Sequence, residues 1–300
     1  MALVLGGVFV FRKVNSTYFQ PLRNDNGRIN LLFLGINGSG GEDKDLTDTI
    51  IFASVNQNVN KITFLSVPRD VWIESLKAKI NAAYHFGGID LAKKTISEVL
   101  DQPVHYYAVL NFDSFEKIID FLGGVEVNVE RAFDDYKFPI AGKEKDLCNG
   151  DRQLKCRYEH LRFEAGVQIM DGKTALKFAR SRNAAGVEGN DFSRSARQQK
   201  ILLGIKNKLT DSKFYEQPEK AIELLQLLQR EVVTDVKPEI YGSLAFLGYD
   251  LNKKGVSIEP SVLNGNLLIN PKYHYSRQWV LVPKDKDFQR IHEFVKNLLD

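Results

Sequence analysis

Four arginines, Arg180, Arg182, Arg194 and Arg197, fall within eighteen positions of one stretch, with Asp191, Gln198 and Gln199 among them. Guanidinium is the side-chain group suited to bidentate binding of phosphate oxygens. A helix N-terminus adds backbone donors and a favourable dipole for the same anion. The segment from Asp171 predicts a short helix, with Gly172 near its start and Ala175, Leu176, Phe178 and Ala179 as apolar contacts. Arg180 and Arg182 are two apart, so on a continuing helix they point to different faces. They can face one ligand only if the helix ends there and the chain becomes extended. Gly186, Gly189 and Asn190 then suit a turn, and Asp191 or Ser193 can cap a second helix. On that helix Arg194, Arg197 and Gln198 fall at i, i+3 and i+4, while Ile201, Leu202 and Ile205 face elsewhere. The expectation is a helix end and a helix start, both carrying guanidinium groups, meeting across a mobile loop. The chemistry is that of an anion site; the same residues also read as a solvated basic face making surface ion pairs.

Two other places carry candidate chemistry. The loop from Gly35 to Asp48 holds Glu42, Asp43, Asp45 and Asp48 after an apolar run. It has neither the Gly-Lys-Ser/Thr of a P-loop nor GxGxxG. Hard carboxylate oxygens at a strand end are ligands that Mg²⁺ takes, with water and phosphate completing its shell. An acidic solvent loop is the other reading of this stretch. Arg69 follows a strand-length run and Pro68 directly, so rigid backbone aims it. In open α/β sheets ligands gather at such carboxyl ends.

The elements that must position these residues alternate. Arg28–Asn37, Thr49–Val55 and Lys61–Val67 are β-branched and aromatic-rich runs of strand length. A helix is expected from about Asp90 to Leu100, a strand over Val104–Leu110, a helix over Asp113–Leu122 and a strand over Val125–Val129. That order argues for an α/β sandwich. Pro218–Glu231 predicts an amphipathic helix with Ala221, Leu224, Leu225 and Leu228 on one face. Val236–Leu263 predicts another helical stretch and turns, Arg277–Val282 a strand stopped by Pro283, and Asp287 introduces a closing helix. Residues 210–300 are expected to complete the same domain; a small C-terminal docking module is the alternative.

Composition bounds the partners. With 300 residues, 43% hydrophobic, the chain can bury a sizeable core, and 41 basic against 38 acidic residues give a net charge of only +3. No generic nucleic-acid binder is implied, and no helix-turn-helix emerges. Met1–Phe11 is wholly apolar and meets Arg12 and Lys13. It is shorter than the roughly twenty apolar residues of a spanning helix. Residues 1–13 therefore read as the outer part of a membrane anchor, with a buried strand as the alternative, and 14–27 as a linker. Cys148 and Cys156 lie in a polar, loop-like segment. They lack zinc-site company, so a local disulfide of an oxidising compartment and two free thiols both stand open. The five histidines are scattered without metal-ligand spacing and read as structural. An aromatic stretch (Tyr84, Phe86, Tyr106, Tyr107, Phe112, Phe115, Phe121, with Leu122) reads more readily as core than as the lining of a lipid site.

Five motifs occur in order: LLFLGIN…LTDTIIFASVN, SVPRD, KINAAYHFGG, FDSFEKIIDFLGGVEV and MDGKTALKFARSR…GNDFSRSARQQK. Together, over Arg28 to Leu209, they resemble the LytR-CpsA-Psr family of cell-envelope glycopolymer transferases. The resemblance implies one α/β domain over residues 28–300, a mixed central sheet between helices enclosing an apolar tunnel for a polyprenyl chain. It implies a membrane-anchored, extracytoplasmic enzyme that moves a glycan-phosphate from a polyprenyl-pyrophosphate carrier to a peptidoglycan hydroxyl with Mg²⁺. By position, Arg69, Lys79, Arg180, Arg182, Arg194 and Gln198 would contact the pyrophosphate. Asp48 would bind the metal, with Asn37, Asp43 and Asp45 as further candidate ligands. Asp191 would be the acidic member of a catalytic set with Arg69, Arg180, Arg182 and Arg194. Many members have Asp where Asn37 stands and Arg where Leu46 stands; Asn can ligate Mg²⁺ only without charge, so the implied metal site is weaker unless Glu42, Asp43 or Asp45 supplies the second carboxylate. A lipid-pyrophosphate hydrolase and a non-catalytic polyprenyl-lipid or glycan binder are the alternatives.

Overall fold

The computed structural model describes residues 18–38, 44–210 and 218–300. The expected anchor over 1–13 and the carboxylate of Asp43 lie outside the described residues. Among the described residues no helix is long and apolar enough to cross a membrane. The chain divides into two units, one ending at Leu110 and resuming at Val232, the other spanning Asn111–Glu231.

The first unit opens with β1 (Arg28–Ile36), β2 (Thr47–Asn56), β3 (Lys61–Ser66) and the two-residue β4 (Trp72–Ile73) and β5 (Ala78–Lys79). Helix α1 (Ala82–Leu100) and β6 (Tyr106–Asn111) follow. The second unit contains α2 (Phe112–Phe121), β7 (Val125–Val129), β8 (Phe133–Pro139), β9 (Tyr158–Phe163) and β10 (Gly166–Met170). It ends with α3 (Gly172–Arg180), α4 (Asp191–Thr210) and α5 (Pro218–Glu231). The first unit is completed by β11 (Val233–Thr234), α6 (Tyr241–Lys253), β12 (Ser257–Val262), β13 (Leu268–Ile269), β14 (Val282–Pro283) and α7 (Gln289–Leu299).

The first unit is built on a six-stranded mixed sheet in the order β11-β6-β1-β2-β3-β12. β1, β2 and β3 form an antiparallel meander in which Leu32 faces Phe52 and Phe52 faces Leu65. β12 lies parallel to β3. Successive side chains alternate between faces, and both faces are apolar. Leu32, Leu34, Phe52 and Leu65 pack with Ile96 and Val99 of α1 and with Ile291 and Val295 of α7. Ile29, Val55 and Ile62 pack on the other side with Leu244, Leu247 and Leu251 of α6. A sheet covered on both faces explains why its strands read as continuous apolar runs. Two cations at the edge of the α7 face close that helix. Arg28 Nη2 and Lys61 Nζ donate to the carbonyls of Leu299 and Leu298, at 2.7 and 2.8 Å. They satisfy the last turn of α7 and complement its dipole.

Several expectations change. The helix expected from Asp90 begins at Ala82 and is broken at Gly87 and Gly88. Gly88 has φ +60°, a conformation that favours glycine. Strand β12, within the stretch expected to be helix and turns, has Pro260 inside it. It stands at the sheet edge, where a missing N–H costs no ladder bond. Of Arg277–Val282, only Val282 enters a strand. Leu281 instead bonds by its backbone to Asp70 and Trp72. On α5 the buried pair is Leu224 with Leu227, while Leu225 is exposed. Residues 18–27, part of the expected linker, are tied to the first unit. Gln20 N donates to Glu239 O at 2.9 Å, and Arg23 pairs with Asp235 at 2.7 Å.

In the second unit, α2, α3 and α4 accompany the antiparallel pair β7–β10 and the hairpin β8–β9, with a core of Ile119, Val125, Val127, Phe133, Phe163, Phe178 and Ile201. Gly172 begins α3 so close to α2 that a Cβ there would lie 2.3 Å from Glu116 O. Cys148 and Cys156 are joined by a disulfide in the β8–β9 connection, which settles that alternative. A crosslink spanning eight positions restricts the unfolded chain by about 2–3 kcal/mol. The double variant Cys148→Ser/Cys156→Ser is expected to lose that stability in urea titration; an unchanged midpoint would mean the hairpin closes without it. The aromatic stretch divides among separate environments. Tyr106 is buried against α6, Tyr107 packs on the α1 face, Phe115 joins the second core and Phe86 is exposed.

Candidate functional site

In the first unit the Arg69 turn is held by three neighbours. Val71 N closes it onto Pro68 O at 3.2 Å, and Asn81 N donates to Arg69 O at 3.3 Å. Leu281 is bonded on both sides, donating to Asp70 O at 2.9 Å and accepting from Trp72 N at 2.8 Å. Thr47 N and Oγ1 both donate to Asn81 O, which ties the start of β2 to the same place. On this frame the charges alternate. Arg69 pairs with Asp48 through Nη1, its Nε lies 3.5 Å from Asp70 Oδ2, and Lys79 Nζ donates to Asp70 Oδ1 at 2.6 Å. Asp70 is buried while Arg69, Lys79 and Asp48 remain partly accessible. A buried carboxylate between two cations fixes both, and Asp70 is a positioning residue that the sequence reading did not single out. Burial, reinforced by the charge of Asp45, raises the Tyr84 phenol above its ordinary pKa.

Asp48 is the second residue of β2 and Asp45 lies just before that strand; their donors, with the amide oxygen of Asn37, are hard oxygens of the type Mg²⁺ takes. The side chain of Asp48 is 33% exposed beside Arg69. Donor chemistry fits the ion. Among the described residues, one group of three Asp, Glu, His or Cys ligand atoms gathers within 4.8 Å: Asp146, Cys148 and Cys156. Its sulfurs are committed to the disulfide.

In the second unit α3 ends at Arg180, and Ser181 turns extended with ψ 130°. That is the condition under which Arg180 and Arg182 can serve one ligand. Asp171 caps the start of α3 by accepting from Thr174 N at 2.8 Å, and its last turn carries Lys177 and Arg180, favourable for the dipole. The Arg180 guanidinium lies over the Phe112 ring at 4.2 Å and near Phe138 at 5.5 Å, an arrangement that fixes its plane. Arg182 is exposed. Helix α4 starts at Asp191, and the cap is Asn190, whose Oδ1 accepts from Ser193 N at 2.8 Å. Neither Asp191 nor Ser193 takes that place. Asp191 sits instead in the first turn and pairs with Arg194 at 3.1 Å. Gln198 Nε2 donates to Ala179 O at 3.4 Å, on the last turn of α3.

Arg197 turns inward and belongs to the scaffold. It is 2% exposed and stacks over Phe133 at 4.9 Å. It donates to Phe178 O at 3.1 Å, to Glu188 O at 3.0 Å, to Glu188 Oε2 at 2.9 Å and to Ser181 O. Burial lowers its pKa from the usual value and the Glu188 carboxylate opposes that, so it stays a cation. The loop between the two helices is accordingly tied down. Gly189 comes so close to Ala184 that a Cβ would lie 1.8 Å from its carbonyl oxygen.

One residue absent from the sequence reading lies under the whole bend. Asp135, in β8, is fully buried. Its Oδ2 accepts from Ser181 Oγ at 2.7 Å and from the N–H groups of Arg182 and Asn183, each at 3.2 Å. Its Oδ1 accepts from Lys137 N at 2.9 Å. An acid in a run as polar as Asp134-Asp135-Tyr136-Lys137 gives no sequence signal of burial.

The family model for LytR_cpsA_psr matches residues 11–293. The chain belongs to the LytR_cpsA_psr family, and relatives of it are named as transferases. A relative in Oceanobacillus iheyensis, named polyisoprenyl-teichoic acid–peptidoglycan teichoic acid transferase TagU, is 28% identical over 264 residues, 79% of this chain and 73% of that protein. The TagU of Bacillus subtilis is 31% identical over 189 residues, 62% of this chain and 53% of that protein. The matched segment thus spans about three quarters of one relative and half of the other. Among solved structures, B. subtilis TagV superposes with a TM-score of 0.66 at 22% identity, covering 92% of this chain and 98% of TagV. That likeness concerns the fold, a mixed central sheet flanked by helices.

Proposed function

We propose that this chain is an extracytoplasmic phosphotransferase that moves a glycan-phosphate from a polyprenyl-pyrophosphate carrier to a peptidoglycan or related cell-envelope hydroxyl. The observation that carries the reading is the bend after Arg180. There a helix exit and a helix start, held together by Arg197 and Gln198, carry Arg180, Arg182 and Arg194. A pyrophosphate carries several negative charges, and fixed guanidinium donors stabilise the charge that shifts as a phosphoryl group transfers. Arg69 and Lys79 carry the same assignment through the family resemblance. In the transfer, the acceptor hydroxyl oxygen bonds to the glycan-bearing phosphorus. The bond from that phosphorus to the bridging oxygen breaks, polyprenyl phosphate leaves, and the hydroxyl proton passes to a base. Asp191 is the candidate base, or the carboxylate that orients Arg194.

Mg²⁺, bound through Asp48 with Asp45, Asp43 and the Asn37 amide as further donors, would neutralise phosphate oxygens. The names of the TagU relatives support the substrate class. The disulfide fits an oxidising compartment, and the apolar residues 1–11 fit an anchor. The lipid tunnel belongs to this proposal as a family expectation.

The test is transfer of a labelled glycan-phosphate from a synthetic carrier to peptidoglycan. Asp48→Ala, or chelator, is expected to slow transfer by on the order of 10²-fold or more. Unchanged turnover in both removes the metal from the reaction. Glycan-phosphate released free, with none attached to peptidoglycan, would make the enzyme a hydrolase.

A further inference from the structure

We infer that Asp135 is a positioning residue for the phosphate-binding bend, one that sets Arg182 through the backbone; this rests on the proposed function. Arg180 and Arg182 are separated by one residue, so their common use depends on the conformation of Ser181 and of the chain just beyond it. Ser181 is fully buried and gripped from two sides. Its hydroxyl donates to Asp135, and its carbonyl accepts from Arg197. The next two N–H groups, of Arg182 and Asn183, converge on the same Asp135 oxygen. The chain has turned extended at Ser181, so these N–H groups do not bond back to α3, and a single carboxylate oxygen gathers them together with the Ser181 hydroxyl. The exit is thereby held extended at the point where the sequence needs it.

β8 is built for this. Phe133, Asp135 and Phe138 are all buried, and each meets one part of the arginine stretch. Phe133 lies under Arg197, Asp135 takes residues 181–183, and Phe138 lies near Arg180. The register shift between Asp135 and Phe138 brings both to the same side despite their odd spacing. Asp135 also bridges Ala184 in antiparallel fashion, and Asn183 Nδ2 donates to Lys137 O at 3.1 Å, so the strand templates the segment beyond the bend. Three donors on one oxygen require an acceptor with no hydrogen of its own. An amide oxygen at that position would turn its NH₂ toward Lys137 N, and the reverse orientation would turn it toward Ser181, Arg182 and Asn183.

Asp135→Asn is therefore expected to cost more than the removal of one bond, and to act through Arg182. Amide hydrogen exchange on the protein without ligand is the first readout. Arg182 and Asn183 N–H groups are expected to be protected in wild type and to exchange at least about tenfold faster in Asp135→Asn. The amides of β1–β3 should be unchanged. The second readout is binding of a short polyprenyl pyrophosphate by calorimetry to wild type, Asp135→Asn, Arg182→Ala and the double variant. Asp135→Asn is expected to weaken binding about as much as Arg182→Ala, and to add nothing once Arg182 is gone. A purely structural role would give losses that add. Should Asp135→Asn not fold, Ser181→Ala removes one donor and carries the same expectations at smaller size. Unaltered exchange at residues 182–183, or additive losses, would overturn the inference. Faster exchange with no pyrophosphate binding by wild type would refute the proposed function and the role of the bend in it, while leaving the Asp135 contacts intact.

Discussion

Arg180→Ala is expected to slow glycan-phosphate transfer by on the order of 10²–10³-fold, the range seen when one preorganised donor to developing charge is removed. The guanidinium is set before substrate arrives, stacked 4.2 Å over Phe112 at the last residue of α3. Such a group needs no reorganisation as charge shifts in the transition state. Stability should change by only about 1 kcal/mol, because Arg180 is half-buried at a helix end and no core volume is lost. Arg180→Lys should recover little. Lysine offers a point charge with neither the planar stack nor the forked donors. Rate measurements at saturating carrier separate this from weakened binding: a loss confined to KM would assign Arg180 to ground-state binding alone.

The second large effect is on folding. Arg197→Ala is expected to destabilise the protein by about 3–5 kcal/mol, as removal of one partner from a buried ionic network does. The guanidinium donates four hydrogen bonds and lies 4.9 Å over Phe133 and 5.9 Å from the Phe178 ring. Without it the Phe178 and Ser181 carbonyls, both on the exit of α3, lose their donors, and Glu188 is left without its cation. Arg197→Met keeps much of the volume and is expected to recover only the packing part. Chemical denaturation measures this directly. A loss under about 1 kcal/mol would mean the two helices are held together by apolar packing, with the arginine incidental.

These contrasting arginines show what the sequence could and could not disclose. The helix exit was legible, because two arginines with one residue between them can cooperate only off a helix. That Arg197 stacks inside the second core was not legible, since spacing on α4 does not say which side meets the core, and Arg194 is buried as well. What decides it is Phe133, sixty-four positions earlier. Asp135 was invisible for the same reason: all but one of its partners belong to the distant segment 181–183, and a run of polar residues hides a buried acid. The strands β1 to β3 were plain because a sheet covered on both faces writes itself as unbroken apolar runs. β12 was obscured by Pro260 and its exposed edge, and β8 and β9 by polar outward positions. Asp70 lay in view in SVPRD, yet only the packing of Lys79 against it shows that it holds two cations.

A polyprenyl pyrophosphate head group seated on the arginine-bearing bend should carry its lipid through purification. Mass spectrometry of lipids co-purifying with the protein, after mild extraction and with purified polyprenyl pyrophosphate supplied, tests it most directly. Wild type is run beside Arg180→Ala and Arg194→Ala. A polyprenyl phosphate or pyrophosphate on wild type, reduced in both variants, is the predicted result. No such lipid on wild type even after feeding, or equal amounts on all three proteins, would mean that the bend is not the head-group site.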